Sequence, residues 1–561
     1  MVILLAIALV AFWAKPLAGY MAAVYLQLPH PLARPLASTE QWIYRLAGID
    51  ATRQMSWKSY SFCVLQFGFL GFITLLAIFM GQGALPLNPQ AMSGLPAATA
   101  FNAAISFVTN TNWQSYSGEA QLSYFSQTVA ITVQHFVSAA TGMAVAVALC
   151  RAFAAKQSHV IGNFWVDMVR SILYILLPLA LMFGLILVSQ GVVQNYSAYT
   201  KITTLEGAEG LIAQGPAALQ TAIKMLGSNG GGFFATNSAH PFENPNAMTN
   251  LLQIASILML PISFVYLAGM LMRDRRQGVM LLATMLIIFT PLAALTMWQE
   301  TVPNPKWDAR VIDVSAGNIE GKDSRLGVAS SAFWGAATNA TSNGSANAAH
   351  DSFAPLSGFV QILLMQFGEV IFGGVGSGVY GIIIYVFVAV FMAGLMVGRT
   401  PEFMGKKLTP FDIKMAMIIL LIPAFLTLIG TGIAVSTEAG RNSVSNPGPH
   451  AFSQILYAFS SAANNNGSTF GGLNYAQPLY DILLGICMAV GRYGVIIPTL
   501  ALAGSFARKN ITPTSAGTLP THTPIFTMLL VIVVLVMAVI NYFPALALGP
   551  VAEHLMMGAV Q

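Results

Sequence analysis

The sequence predicts an all-α polytopic membrane protein with about ten transmembrane helices. Four tandem helix–pore-helix–loop–helix repeats are expected in a pseudo-fourfold arrangement around a pore. Three observations predict this. Of 561 residues, 56% are hydrophobic and only 8% charged, whereas soluble domains carry about 25% charged residues. Ten segments are apolar over the length a bilayer core requires, about 20 residues of helix. Four polar loops also recur, with Asn112, Gly230, Gly344 and Gly467 separated by 118, 114 and 123 residues. A near-constant long period marks a repeated structural unit.

The ten segments are 2–26, 60–84, 124–150, 166–190, 248–272, 278–299, 355–398, 412–435, 478–506 and 523–547. The first begins like a signal peptide but stays apolar to Leu26 without a small-residue cleavage site, so it reads as a retained spanning helix. The seventh is too long for one plain crossing and contains Gly373, Gly374, Gly376 and Gly378. A helix broken in mid-membrane is predicted there, which is tolerated only inside protein or along a cavity. Four shorter apolar segments, 97–109, 216–227, 328–341 and 451–463, each end at one of the polar loops. At about 1.5 Å per residue they reach roughly half of the membrane. The predicted units are an extra N-terminal helix with its connection (1–56), four pore repeats (57–160, 161–275, 276–408 with the broken helix, and 409–510), and an extra C-terminal helix (511–561).

Charge sets the orientation. The connections without half-helices hold 16 Lys and Arg, including Arg273, Arg275, Arg276, Arg399, Lys406 and Lys407. The connections with half-helices hold 7, counting Lys201, Lys224, Lys306, Arg310, Lys322, Arg325 and Arg441. The positive-inside rule then turns the four pore loops and both termini outward. The net charge of +5 is spread over loops rather than gathered in a basic arm, which argues against nucleic acid as a partner. Cys63, Cys150 and Cys487 lie far apart in apolar segments and read as buried thiols, not as a disulfide framework or metal site. His135, His240, His350, His450 and His522 show no metal-ligand spacing.

The loops carry the chemistry. A half-helix points the negative end of its dipole at whatever lies beyond it, so four converging C-terminal ends favour a cation. The residues beyond are Asn, Ser, Thr and Gly, without a carboxylate at the aligned positions. Selectivity must then come from backbone carbonyls that replace a hydration shell. Asn-Gly runs are ordinarily surface turns; four at even spacing, each after a half-length apolar helix, favour the pore reading. Gly230, Gly344 and Gly467 suit an unusual backbone conformation, and Asn112 is the next most tolerant residue type in that place. One glycine-type position per quarter makes a shorter filter than a Thr-Val-Gly-Tyr-Gly run, better suited to holding one ion than to conducting a file of them.

Specific strings add a resemblance. Ser106-Phe107-Val108-Thr109-Asn110-Thr111-Asn112-Trp113-Gln114, Asn229-Gly230-Gly231-Gly232-Phe233-Phe234, His240-Pro241-Phe242-Glu243-Asn244-Pro245 and Gly368-Glu369-Val370 with the glycine run after Phe372 resemble the potassium-binding A subunit of the Kdp potassium-transporting ATPase. Gly517-Thr518-Leu519-Pro520-Thr521-His522 extends the match. The resemblance implies potassium held by main-chain carbonyls of Asn110 and Thr111, Ser228 and Asn229, Ser342 and Asn343, and Asn465 and Asn466, with Asn112, Gly230, Gly344 and Gly467 completing the filter. Asn343 stands where a cysteine is expected, a change that should alter packing more than coordination.

Below the filter, Arg492 lies mid-helix, where a charge is expensive and usually functional. The resemblance implies a cation just under the filter that helps to set the barrier to free flow, and this is compatible with its pairing with Glu369 or another acid. Glu369 is either a second ion ligand or a hinge partner. Gln114 is read from the sequence as a loop hydrogen-bonder, while the resemblance places it near the mouth of a tunnel. The glycines at 373–378 form the candidate gate. The chain has no Walker A sequence and no Asp-Lys-Thr-Gly string, so ATP hydrolysis falls to a partner. The resemblance implies a separate P-type ATPase catalytic subunit (the Kdp B-type), small accessory C- and F-type subunits, a bacterial inner membrane, potassium as the bound ion and no organic cofactor. A stand-alone Trk/Ktr/HKT-like potassium transporter or channel shares the four-unit plan and is the alternative; a non-transporting scaffold is a third reading.

Overall fold

Long apolar runs fold as helices here because a bilayer leaves backbone polar groups no partner but each other. The computed structural model describes residues 2–303, 313–398, 400–513 and 519–558. Lys306, Arg310 and Arg399 of the charge count, and Gly517 and Thr518 of the motif, lie outside the described residues. Among these, ten helices are long and apolar enough to cross a membrane: Val2–Tyr25, Trp57–Ala84, Ser126–Ala154, Phe164–Ser189, Ala247–Leu271, Arg275–Thr301, Ser377–Met396, Pro410–Ser436, Pro478–Arg508 and Pro524–Met557. The chain is a multi-pass membrane protein. Four half-length helices alternate with them: Ala97–Val108, Ala217–Leu226, Val328–Ala340 and Pro449–Ala463. Twelve of the fourteen lie within a few residues of the segments read from apolar length; Ser377–Met396 is only the second part of the segment 355–398, and Pro524–Met557 runs on past 547.

Burial separates inner from outer helices. The helix after each half-helix is the better covered one in every unit: 83% of the window in Ser126–Ala154 is buried against 22% in Trp57–Ala84, and 83% in Ala247–Leu271 against 50% in Phe164–Ser189. With Ser377–Val397 and Pro478–Arg508 these are the inner helices, and each half-helix is wedged between the outer helix of its own unit, its own inner helix and that of the preceding unit. The N-terminal helix packs on Ala247–Leu271 through a buried small-residue stripe, Ala6, Val10, Ala14 and Ala18. Such stripes let backbones approach closely where lipid supplies no hydrophobic drive between helices. The C-terminal helix Pro524–Leu546 lies against Arg275–Thr301 and the broken helix.

The broken helix exists, with its break shifted. Helix Pro355–Gln366 ends, residues 367–376 are irregular, and helix resumes at Ser377. Gly378 therefore sits in the first turn of the second helix rather than in the break. It is glycine for closeness: a Cβ there would fall 1.6 Å from the Phe372 carbonyl oxygen.

Three features are absent from the sequence reading. The connection within 1–56 forms a helix, Ala33–Leu46, without a buried residue. Its exposed Trp42 and flanking Arg34 and Arg45 suit a helix lying in the interface plane. Two antiparallel hairpins, Thr200–Thr203 with Glu209–Ile212 and Glu402–Phe403 with Lys406–Lys407, interrupt the all-α pattern; strands of four and two residues are too short to leave an alternation signal. Ser126–Thr132 and Ser171–Leu176 are π-helical stretches inside spanning helices.

Candidate functional site

Each half-helix stops at the same kind of turn. After Val108, Leu226, Ala340 and Ala463 come Thr109, Gly227, Thr341 and Asn464 as C-caps. The next residues, Asn110, Ser228, Ser342 and Asn465, have φ of 65°, 50°, 50° and 50°. Two positions on, Asn112, Gly230, Gly344 and Gly467 have φ of 58°, 83°, 80° and 95°. Between them the amides of Thr111, Asn229, Asn343 and Asn466 donate to the carbonyls of Ser106, Lys224, Thr338 and Ser461, at 3.0, 2.9, 2.9 and 2.9 Å. These bonds satisfy helix-end carbonyls that otherwise lack a partner. Two left-handed residues flanking one ordinary residue, repeated four times, explain the Asn, Ser and Gly composition.

The four turns close into a ring. A Cβ on Gly230 would stand 1.9 Å from the Asn343 carbonyl oxygen, one on Gly344 2.0 Å from that of Asn466, and one on Gly467 2.0 Å from that of Thr111. Gly231 meets Asn112 across the remaining junction, its Cβ position 2.9 Å from the Asn112 carbonyl oxygen. Thr111, Asn229, Asn343 and Asn466 are fully buried. Among the described residues their carbonyl oxygens accept no hydrogen bond. Buried backbone carbonyls are nearly always paired, so four unpaired equivalents at four negative helix ends form a set of donors for a cation.

Side chains brace the ring without entering that set. Asn110 donates to the Ser228 carbonyl at 2.9 Å and accepts from Asn229 at 2.6 Å. Asn343 donates to the Lys224 carbonyl at 3.0 Å, Asn466 to that of Thr338 at 3.2 Å, and Asn465 to Thr111 Oγ1 at 2.8 Å. Asn343 Oδ1 also accepts from the Ser345 amide at 3.1 Å. Its side chain is therefore bonded within the frame. Gln114 bridges the first two loops as a hydrogen-bonder: it donates to the Gly232 carbonyl and accepts from the Gly232 amide, both at 3.0 Å.

The break of the third inner helix lies against the ring. The Gly373 amide donates to the Ala340 carbonyl at 3.1 Å, and Ser342 Oγ donates to Glu369 Oε1 at 3.1 Å. A Cβ on Gly142 would meet both the Val375 carbonyl, at 2.9 Å, and an Arg492 nitrogen, at 3.0 Å. Gly376 packs on Gly142 and Gly374 on Ser377, so the glycine run threads between first-unit and third-unit backbones. Arg492 and Glu369 line one cavity of about 40 Å³ with Asn465. No ion pair within 4.0 Å joins them among the described residues.

The sequence reading missed a buried network behind the second loop. Lys224, counted there as a loop charge, is fully buried on its half-helix and paired with the equally buried Glu243. Lys224 also donates to Asn237 Oδ1 at 2.8 Å, Asn237 donates to the Gly230 carbonyl, and Glu243 accepts from the Phe234 amide at 3.0 Å. A lysine inside an apolar half-helix was the available signal. Among the described residues no group of His, Cys, Asp and Glu is placed to hold a metal ion; Cys150 and Cys487 are buried free thiols, whereas Cys63, also free, is only half-buried.

Comparison with known proteins places the chain. The family profile described as "Potassium-transporting ATPase A subunit" matches residues 3–555. A relative from Sorangium cellulosum, named "Potassium-transporting ATPase potassium-binding subunit", is 52% identical over 557 residues, covering 97% of this chain and 96% of the relative. One of the same name from Methylococcus capsulatus is 50% identical over 573 residues, with 97% and 96% covered. Among solved structures, the potassium transporter TrkH from Vibrio parahaemolyticus superimposes with a TM-score of 0.54 at 13% identity, covering 90% of this chain and 97% of that one. That likeness is one of fold. With a family match across almost its whole length and half-identical relatives, the chain belongs to the potassium-transporting ATPase A subunit family.

Proposed function

We propose that this chain is the potassium-binding, channel-like subunit of a high-affinity, ATP-driven potassium uptake pump. The observation that carries the reading is the ring of four unpaired, buried carbonyls of Thr111, Asn229, Asn343 and Asn466 at the ends of four half-helices. Carbonyls of Asn110, Ser228, Ser342 and Asn465 supply a second tier, and Asn112, Gly230, Gly344 and Gly467 let the loops approach closely enough to present both. Potassium is captured from outside, desolvated by these oxygens, held above Arg492 and the glycine break, and passed to a separate P-type ATPase subunit. The relatives' printed names support a complex of this kind, and small C- and F-type subunits complete it. The charge bias of the connections supports loops and termini facing the periplasm of a bacterial inner membrane.

The test is equilibrium binding of potassium to the purified chain, with sodium as competitor, followed by copurification from native membranes. Saturable potassium binding that sodium does not displace, together with a copurifying potassium-stimulated ATPase, is expected. Absence of cation binding sinks the filter assignment. Robust passive potassium conduction without partners sinks the pump reading in favour of a lone transporter.

A further inference from the structure

The end of the inner-helix bundle opposite the four loops is occupied by a lysine that the charge count treats as a solvated loop residue. Lys406 belongs to the hairpin at 402–407 and is fully buried. Among the described residues no carboxylate pairs with it. Its Nζ instead donates to three backbone carbonyls, Ala152 at 2.9 Å, Ala155 at 2.6 Å and Phe506 at 2.7 Å. Ala152 and Ala155 lie at the C-terminal end of the first unit's inner helix, and Phe506 at that of the fourth. Among the described residues the carbonyls of Ala152 and Ala155 have no other backbone partner, that of Phe506 also accepts from the Lys509 amide at 3.2 Å, and all three sit at the negative end of a helix dipole.

Beside the ammonium lies a dry aromatic cluster. Phe153, Phe387 and Phe506, from the inner helices of the first, third and fourth units, meet Phe403 of the hairpin. The ring centroids are 4.9 Å apart for Phe153 and Phe506, 5.0 Å for Phe387 and Phe506, and 5.4 Å for Phe153 and Phe403. All four rings are buried. A cation held by carbonyl oxygens inside a low-dielectric wall has the same chemistry as a stripped potassium ion in the ring above, except that this cation is covalently tethered.

We propose that Lys406 is a tethered cation that seals the end of the pore opposite the filter. This rests on the reading of the four-loop ring as a potassium filter. A potassium ion reaching this end finds the helix-end carbonyls already occupied by a positive charge and the space beside them filled by phenyl rings. Both the Coulomb repulsion and the missing ligands oppose passage, while the hairpin that carries Lys406 holds the plug from below.

The test uses the full chain in liposomes and reads passive rubidium uptake. Wild type and Lys406→Arg are expected to stay tight, because the sealing charge remains. Lys406→Ala is expected to leak at least about tenfold faster, the change that each 1.4 kcal/mol of lost barrier brings. Butylammonium added on the far side should restore tightness to that variant by filling the vacated carbonyl site. A Lys406→Ala variant that still binds potassium but stays tight overturns the proposal, as does a leak that butylammonium does not diminish. Loss of potassium binding by the wild-type chain would instead overturn the filter reading, so the two failures are distinguishable.

Discussion

The carbonyl oxygen of Thr111 and the Cα of Gly467 are so close that a Cβ on the glycine would stand 2.0 Å from that oxygen. Gly344 faces Asn466, and Gly230 faces Asn343, in the same way. An alanine at any of these positions must push a neighbouring carbonyl out of the ring. It must also hold a left-handed φ of 80° to 95°, a strain of about 1–3 kcal/mol. Each variant is expected to bind potassium about 10- to 100-fold more weakly, since each 1.4 kcal/mol is a factor of ten. Potassium titration of the three purified variants checks this; unchanged affinity in all three would refute the filter assignment.

Lys224 and Glu243 hold the second loop from behind, and their buried pairing makes a double-mutant experiment decisive. Lys224→Met alone strands a buried carboxylate, a loss of about 3–5 kcal/mol. Lys224→Met with Glu243→Gln removes both charges and should recover most of that stability. Thermal unfolding of the two variants measures the difference. The double variant is still expected to bind potassium more weakly than wild type, because the Asn237 bridge from Lys224 to the Gly230 carbonyl is lost. Equal stability of single and double variants would mean that the pair is not buried as described.

Asn343 tests whether the ring binds through main chain or side chain. Its side-chain amide donates to the Lys224 carbonyl and accepts from the Ser345 amide and Thr338 Oγ1, so Asn343→Cys gives up three hydrogen bonds, each worth about 0.5–1.5 kcal/mol. The main-chain carbonyl stays. Melting temperature should fall while potassium affinity changes only a few-fold. A loss of affinity as large as that of the glycine variants would make the Asn343 side chain itself a ligand.

What the sequence discloses follows from which forces act locally. The spanning helices and half-helices are legible because apolar length alone dictates them, and the loop alignment at Asn112, Gly230, Gly344 and Gly467 because left-handed backbone selects Asn and Gly. Lys224 and Lys406 escape notice for the opposite reason. Each is charged like a loop residue, and its burial depends on partners distant in the chain: Glu243 for one, and the ends of helices some 100 and 250 residues away for the other. The break at 367–376 is visible as a glycine run, but its register is set by contact with Gly142 and Ala340, which no local pattern encodes.

The last prediction concerns pH and the short terminal segment Ala552–Gly558, which follows Pro524–Leu546 after the turn at Ala547–Val551. His450, in the first turn of the fourth half-helix, is bracketed by Asp351 on Nε2 at 3.0 Å and Glu553 on Nδ1 at 2.9 Å, with its ring stacked on Phe470. Burial disfavours the imidazolium, but the hydrogen bonds and charges of the two carboxylates outweigh it and raise the pKa from 6.5 to about 9. A histidine whose folded pKa is raised contributes stability that is fully present below its unfolded pKa, near 6.5, and lost as pH climbs through about 9. Over that window the link between the fourth half-helix and Ala552–Gly558 should weaken, by on the order of 1–3 kcal/mol. Protection factors of the amides across 552–558, with the intrinsic base-catalysed exchange divided out, are expected to fall between pH 6.5 and 9 in wild type, and to be low at both ends in His450→Ala. Protection in that segment that is independent of pH in wild type would show that the charged bridge does not hold the helix.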